Sequence, residues 1–186
     1  MTRRVLIGST LLGMLQRTTV PVLAIPRPAE PAMASSPPPA WPGEPVVAAL
    51  DLDQSPARDV DIAAHLAQWL GASLLLLHVV NEIARPAWLG GDLRAHDRIR
   101  VATAERRLEA LAAAARSQVR TESRVICGRI VDEIAALAAT AGTGLVMTAL
   151  HDRRGWFGAR RGSISYHVLT QAMTPVLAYP PQWRLR

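Results

Sequence analysis

The chain has a single cysteine, Cys127, among its 186 residues. One thiol cannot form an internal disulfide, and it cannot supply a metal site that needs several thiolates. Cys127 lies in the run RVICGR, so it is predicted to be a partly buried strand residue without unusual reactivity. Long apolar runs are also missing, since no uninterrupted run exceeds six residues and His78 separates residues 74–77 from the two valines beyond. A bilayer-spanning helix needs ~20 such residues, so no transmembrane segment is predicted.

An export signal is missing as well. Arg3 and Arg4 precede only the short run VLIG, and polar residues interrupt the next stretch of the chain. With neither a secretory signal nor paired cysteines, the protein is predicted to be cytoplasmic. Hydrophobic residues make up 49% of the chain and charged residues 19%. This composition excludes bulk disorder and is typical of a globular domain with its own core.

The sequence contains none of the spacings that indicate metal-dependent or nucleophilic catalysis, such as HExxH or paired cysteines. His78 lies near the end of an apolar run and is predicted to be a structural histidine with its hydrogen bonds satisfied. His151 has only the adjacent Asp152 as a candidate carboxylate partner, which is too weak a signal for a general base. The chain is therefore predicted not to be an enzyme and to hold no metal cluster.

Two stretches of the chain are identical at eight of 19 positions. Residues 162–180 read GSISYHVLTQAMTPVLAYP, residues 8–26 read GSTLLGMLQRTTVPVLAIP, and the two align without a gap. Each combines a helical apolar stripe, a proline and a short apolar run, which predicts a helix followed by a strand. Ser163 is the predicted N-cap of the second helix. Only seven residues precede the first copy, so residues 1–26 are interpreted as the remnant of an upstream domain.

Between the two copies lie a proline-rich segment and a complete set of elements. Residues 27–44 are predicted to be an extended or disordered linker, and residues 45–181 a domain. In that domain apolar runs alternate with helical patterns, which predicts a parallel sheet with helices on both faces. Ser55 and Pro56 start the first helix and Gly71 ends it. The predicted strands are Val46 to Leu52, Ser73 to Val80, Arg120 to Ile126, Leu145 to Ala149 and Val176 to Tyr179, the third lying nearer an edge.

These residues resemble a universal stress protein domain over about residues 45–181. The resemblance is carried by VVAALDLDQSPARDVDIAAHLAQWLGASLLLLHVV, CGRIVDEIAALA, LVMTALH and GS…TPVLAYP. It implies an α/β fold of the adenine-nucleotide-hydrolase-like type, a five-stranded parallel sheet in the order 3-2-1-4-5. Residues 1–26 resemble the last helix and strand of a second copy. The order implies a topological switch point between strands one and four, where α/β sheets receive nucleotides.

The resemblance also implies a nucleotide site, altered in this chain. Family members that bind ATP carry G-x2-G-x9-G-[ST], and here only the final pair, Gly162 and Ser163, is present, with Ala149 and Asp152 at the earlier glycine positions. Glycine lets a backbone approach phosphate closely. A carboxylate ~4 Å from a phosphate costs about 4 kcal/mol at an effective dielectric of ~20, or roughly a thousandfold in affinity. The positive charges of four arginines in the same segment, at 153, 154, 160 and 161, would offset this repulsion.

The implied ligand is ATP or another adenine nucleotide. Asp51 would lie near the adenine and ribose, with a turn or helix-cap acceptor as the alternative role. Val79 would present its backbone to the base, and it is a core residue in either case. Ser163 caps its helix whether or not an anion binds. The candidate cofactor-binding residues are Asp51, Val79, Ala149, His151, Asp152, Gly162, Ser163 and Ile164.

Three functions remain open at this point. The first is a stress-response or signalling module that acts by binding, and the second is a scaffold that acts by dimerisation. Family members dimerise through their last strands, so a homodimer through residues 176–179 is expected, with residues 20–25 pairing with strand five of the same chain or a twin. The third is nucleic-acid binding through the basic and aromatic residues 153–161. A solvated basic loop is the stronger interpretation of that segment.

Overall fold

The computed structural model describes residues 15, 17–26, 45–81, 93–140, 143–150, 164–172 and 174–184. Strands and helices alternate regularly through these ranges after an initial strand. The strands are β1 (Val22–Ala24), β2 (Val46–Ala49), β3 (Leu74–Asn81), β4 (Thr121–Gly128), β5 (Leu145–Ala149) and β6 (Val176–Tyr179). The helices are α1 (Pro56–Leu70), α2 (Leu93–Ala115), α3 (Ile130–Thr140) and α4 (Ile164–Gln171).

The strands form one sheet in the order β1-β6-β5-β2-β3-β4. β2 to β6 are parallel to one another and stand in the predicted order 3-2-1-4-5. The prediction of five strands is wrong, because β1 adds a sixth strand, antiparallel to β6. An uncovered β6 edge would present a row of unpaired backbone groups. Pairing with β1 satisfies them within the same chain, which is one of the two pairings predicted for residues 20–25.

Helices cover both faces of the sheet, as predicted. Side chains of β3 alternate between them: Leu74, Leu76 and Val80 face α1 and α2, whereas Leu77 and Val79 face α3 and α4. The first face is rich in fully buried alanines, among them several on α1 and α2. Small side chains let a helix backbone approach a sheet closely, so these alanines permit close packing of the two helices on the sheet.

Three local predictions need correction. β2 ends at Ala49, because a turn from Asp51 to Gln54 follows shortly after it. Ser55 occupies the N-cap position of α1 with a left-handed backbone (φ 51°), and its side chain makes no capping hydrogen bond. Cys127 is exposed, because it lies on β4 at the outer edge of the sheet. The edge position of β4 itself was predicted correctly. Pro56 at the first turn of α1 and Gly71 at its end are confirmed.

The chain after β6 folds back onto the start of α1. Arg58 donates to the carbonyl oxygens of Pro180 and Trp183 at 3.3 and 2.6 Å. Its guanidinium also pairs at 3.1 Å with Asp59, a carboxylate that is 1% exposed. Asp59 in turn accepts a hydrogen bond from the Tyr179 hydroxyl, and burial, reinforced by this carboxylate, raises the pKa of Tyr179 far above its usual range. The cluster holds the C-terminal segment against α1.

The buried tyrosine predicts a loss of stability at alkaline pH. An unfolded tyrosine ionises near pH ~10, whereas Tyr179 stays protonated in the fold because its pKa is raised. Its contribution is complete below pH ~10 and declines above it by up to about 1.4 kcal/mol per pH unit. Urea unfolding between pH 9 and 11 should show a shallower decline for Tyr179→Phe than for the wild type. Parallel pH profiles would contradict this assignment.

Candidate functional site

A cavity of about 550 Å³ opens at the carboxyl ends of β2, β3 and β5. β2 and β5 are neighbours in the sheet, paired from Val46 with Leu145 to Ala49 with Thr148. The chain leaves β2 toward α1 on one face, and it leaves β5 toward α4 on the other. Because the two connections diverge, they leave a crevice between the strand ends. The predicted switch point is therefore present.

Asp51 lies in the cavity wall, directly after β2. Its Oδ1 accepts from the Asp53 backbone N–H at 3.0 Å, and its Oδ2 accepts from the Gln54 side chain at 3.2 Å. The Gln54 backbone N–H closes the turn onto the Asp51 carbonyl oxygen at 3.1 Å. The predicted turn-acceptor role is thus correct. Each carboxylate oxygen has a second lone pair, so Asp51 can also accept from a ligand.

Val79 and Ala149 also line the cavity. The Val79 side chain is a buried member of the core between the sheet and α3 and α4, as expected for its position on β3. Ala149 is 4% exposed and belongs to the core on the opposite face. Among the described residues other than glycine, only Ser55 has a positive φ. Ala149 therefore has a backbone conformation that does not require glycine, while the effect of its methyl group on a nucleotide stays a prediction.

Two hydroxyl groups at the cavity floor were not predicted. Ser165, on α4, donates to the Ala149 carbonyl oxygen at 3.0 Å. Since the Ser165 proton is used in that bond, Thr148 on β5 donates to Ser165 Oγ at 3.3 Å. These bonds tie the end of β5 to the first turn of α4. A serine next to a helix start carries no sequence signal that separates this role from capping.

His78 is bonded as predicted. Its Nδ1 lies 2.9 Å from the Leu50 carbonyl oxygen, which can only accept, so Nδ1 carries the proton. In the neutral ring, Nε2 is then an acceptor. The histidine lines the cavity together with Asp51. The wall therefore combines a carboxylate and an imidazole acceptor close to the ends of adjacent strands.

Two arginines of α2 complete the wall, and sequence reasoning missed both. Arg100 donates to the Asn81 carbonyl oxygen at 3.1 Å. Arg107 donates to the Leu52 carbonyl oxygen and pairs with Asp53 at 3.3 Å. The two arginines are two turns apart on one face of α2, a spacing that could have indicated a shared surface. Among the described residues, the arginines at this wall come from α2, where they bond to backbone carbonyls that follow β2 and end β3.

Several predicted site residues lie outside the described part of the chain. They are His151, Asp152, Gly162 and Ser163, together with the basic segment 153–161. Ile164 is the first residue of α4, and its side chain is likewise not described. Within the described ranges, no group of His, Cys, Asp and Glu side chains is arranged to hold a metal ion. None of the helices in those ranges combines the length and apolarity of a membrane crossing.

The sheet order and the crevice define an α/β protein of the kind that receives ligands at a switch point. A model of the universal stress protein family matches residues 44–180, which is well over half of the chain. The chain belongs to the universal stress protein family. No curated protein matches it in sequence.

Solved structures agree with this assignment at the level of the fold. A universal stress protein in complex with cAMP is 21% identical and covers 76% of this chain and 98% of its own, with a TM-score of 0.56. The universal stress protein from Archaeoglobus fulgidus in complex with dAMP is 21% identical, covering 73% and 96%, with a TM-score of 0.53. A functionally unknown protein from Pseudomonas aeruginosa is 17% identical, with a TM-score of 0.63, and covers 94% of this chain but 57% of its own. Because it covers 94% of this chain, that match includes residues before residue 44, where the family model begins.

The hydroxyl pair at the cavity floor predicts a stability effect. Ser165→Ala should lower the free energy of unfolding by about 1 to 3 kcal/mol, because it removes a buried donor and leaves its partners underbonded. Denaturant unfolding measures the difference. Ser117→Ala is the matched control, since Ser117 also donates to a backbone carbonyl but is exposed. Equal effects of the two substitutions would show that the buried hydroxyl pair stabilises the fold no more than an exposed serine hydrogen bond does.

Proposed function

We propose that this protein binds an adenine nucleotide with a short phosphate group at the end of the sheet, and that it acts by binding rather than by turnover. The observation that carries the proposal is the cavity of about 550 Å³ between the ends of β2 and β5. Its volume lies within the usual range of small-molecule sites. A nucleotide in this crevice would be part of a stress-response or signalling module.

The polar groups of the wall suit a nucleoside. Asp51 is held in place by the turn that follows β2, so its free lone pairs are fixed in direction. A ribose presents hydroxyl donors, and adenine presents an amino donor, which a carboxylate and the His78 Nε2 can accept. Residues 49–52 and 77–81 also line the cavity, and a carbonyl oxygen there that already accepts one bond keeps a second lone pair. The wall is therefore richer in acceptors than a purely apolar pocket would be.

The preference for a short phosphate group rests on the altered glycine motif. Ala149 keeps an ordinary backbone and packs into the core, so it is compatible with a ligand. Asp152 brings a negative charge to the position where the family motif has its second glycine, and a triphosphate suffers more from it than a monophosphate does. The fold neighbours in complex with cAMP and dAMP add support, because each of those ligands has one phosphate.

The binding proposal is tested by titrating the protein with AMP, cAMP and ATP, using calorimetry and the rise in melting temperature that mass action requires. The monophosphates should bind more tightly than ATP. Asp152→Gly should raise the affinity for ATP more than that for AMP. Asp51→Asn should weaken all three by roughly tenfold or more, since a charge-assisted bond is worth about 1.5 to 3 kcal/mol.

Asp61→Asn is the control for loss of a carboxylate, because Asp61 lies on α1 with a side chain that is 62% exposed. It should leave every affinity unchanged. If none of the three nucleotides binds at millimolar concentration, the proposal is refuted. Equal binding of ATP and AMP, unchanged in Asp152→Gly, would remove the preference for a short phosphate group.

Self-association is a second candidate, favoured by the register of β1 on β6. Val22 pairs with Ala178, Leu23 with Leu177 and Ala24 with Val176. In the internal repeat Val22 corresponds to Val176 and Ala24 to Ala178, so the pairing is self-complementary about its centre. Two copies of β6 would pair in the same way, as a two-fold interface requires. In this proposal, the predicted homodimer through the last strand forms when β1 vacates the β6 edge.

Removal of residues 1–26 tests this. In sedimentation velocity the truncated protein should be a dimer, because the unpaired backbone groups at the edge of β6 can pair with those of a second copy. The full chain should sediment as a monomer. Leu23→Arg in the full chain is the control, since that side chain is 49% exposed and its replacement keeps the backbone pairing. It should not alter the sedimentation coefficient. Identical profiles for the truncated and full chains would refute the interface.

A further inference from the structure

We infer that Arg107 is a positioning residue for the nucleotide site, acting through the turn that carries Asp51. The inference rests on the proposed function for its binding readout, although its structural readout is independent of any ligand. Arg107 lies on α2, far along the chain from the turn, and nothing in the family resemblance points to it. Its role comes entirely from the contacts that its guanidinium makes.

Those contacts bind two consecutive residues of the turn. Nη2 donates to the Leu52 carbonyl oxygen, and Nη1 lies 3.3 Å from Oδ1 of Asp53. The planar fork of an arginine fixes both groups relative to each other, which a single ammonium cannot do. The Arg107 side chain is 50% exposed and that of Asp53 is 86% exposed, so the ion pair alone is weak. The bond to the carbonyl of Leu52, a residue that is 3% exposed, is the stronger anchor.

One of the two anchored residues, Asp53, also orients the Asp51 carboxylate. Asp53 donates its backbone N–H to Asp51 Oδ1, while the Gln54 side chain, from the next residue in the chain, donates to Oδ2. A shift of residues 52 and 53 therefore moves the backbone donor to Oδ1 directly and displaces the residue that carries the second donor. Arg107 connects this turn to α2, a long helix that packs against the sheet. These bonds therefore restrict the motion of the turn relative to the helix. Without Arg107, the turn loses its hydrogen bonds to α2 and keeps its own local bonds and the core packing of Leu52.

Arg100 makes the corresponding connection at the next strand. Its Nη1 donates to the Asn81 carbonyl oxygen at the end of β3, one strand away from the Asp51 turn. Thr103 and Ala104, which lie between the two arginines, also face the cavity. One face of α2 thus holds the ends of two adjacent strands. Arg107 is the member of this pair that is connected to a candidate ligand group.

The test compares Arg107→Met, which keeps the apolar stem but removes both donors, with Arg107→Lys, which restores one charged donor. Amide exchange at Asp53 and Gln54 should be about tenfold faster in Arg107→Met, because the turn opens more often. Arg107→Lys should lie between that variant and the wild type. Global unfolding by urea should change little, because the side chain is half exposed. Unchanged exchange at both amides would overturn the inference.

Binding distinguishes positioning from direct contact. If Arg107 acts through Asp51, Arg107→Met should weaken adenosine and AMP by the same factor, roughly tenfold. If Arg107 instead contacts phosphate, the substitution would weaken AMP alone, and the positioning role would be wrong. A wild type that binds neither ligand would refute the proposed function, while the exchange rates would still decide the role of Arg107.

The control for both measurements is Arg106→Met. Arg106 is the adjacent residue of α2, and its guanidinium contacts the exposed Thr103 hydroxyl at 3.4 Å and no part of the turn. It should leave amide exchange and both affinities at wild-type values. The same effect from Arg106→Met as from Arg107→Met would reduce the result to a general loss of positive charge and overturn the inference.

Discussion

The hydrogen-bonded ladder between β2 and β5 is the constraint on which the rest of the structure depends. These strands are about a hundred residues apart in the chain, yet they pair in parallel register from Val46 with Leu145 onward. Nearly every residue in both strands is buried, so a slip by one residue would turn each side chain to the wrong face. The ladder thereby fixes which strand ends adjoin, and the cavity lies where they do.

The site is built mostly from side chains whose first task is structural. Asp51 closes a turn, His78 bonds to the Leu50 carbonyl oxygen, and Ser165 ties α4 to β5. Each lines the cavity and has hydrogen-bonding capacity that these bonds do not use. A ligand would thus meet groups that are already held in place, and little ordering would be required on binding. Structural and ligand-facing roles are combined in the same residues rather than divided among them.

Sequence patterns predicted the fold well, because buried parallel strands, proline starts and glycine ends are local signals. The family resemblance supplied the strand order, which no local pattern contains. The sequence did not reveal that α2 reaches the strand ends, because the contacts of Arg100 and Arg107 depend on how the helix lies across the sheet. Which of the two cores receives the Ala149 methyl group also follows from how β5 lies in the sheet. The left-handed backbone conformation of Ser55 likewise depends on the turn that precedes it.

The position of Cys127 has a practical consequence. It is the only cysteine of the chain, and it is exposed. In the sheet it stands opposite Val80, whose neighbours on β3 reach the cavity. A thiol-reactive fluorophore would therefore attach at one place, a strand away from the crevice, without any engineered residue. A fluorophore on Cys127 could therefore be used to follow ligand binding in the cavity by fluorescence.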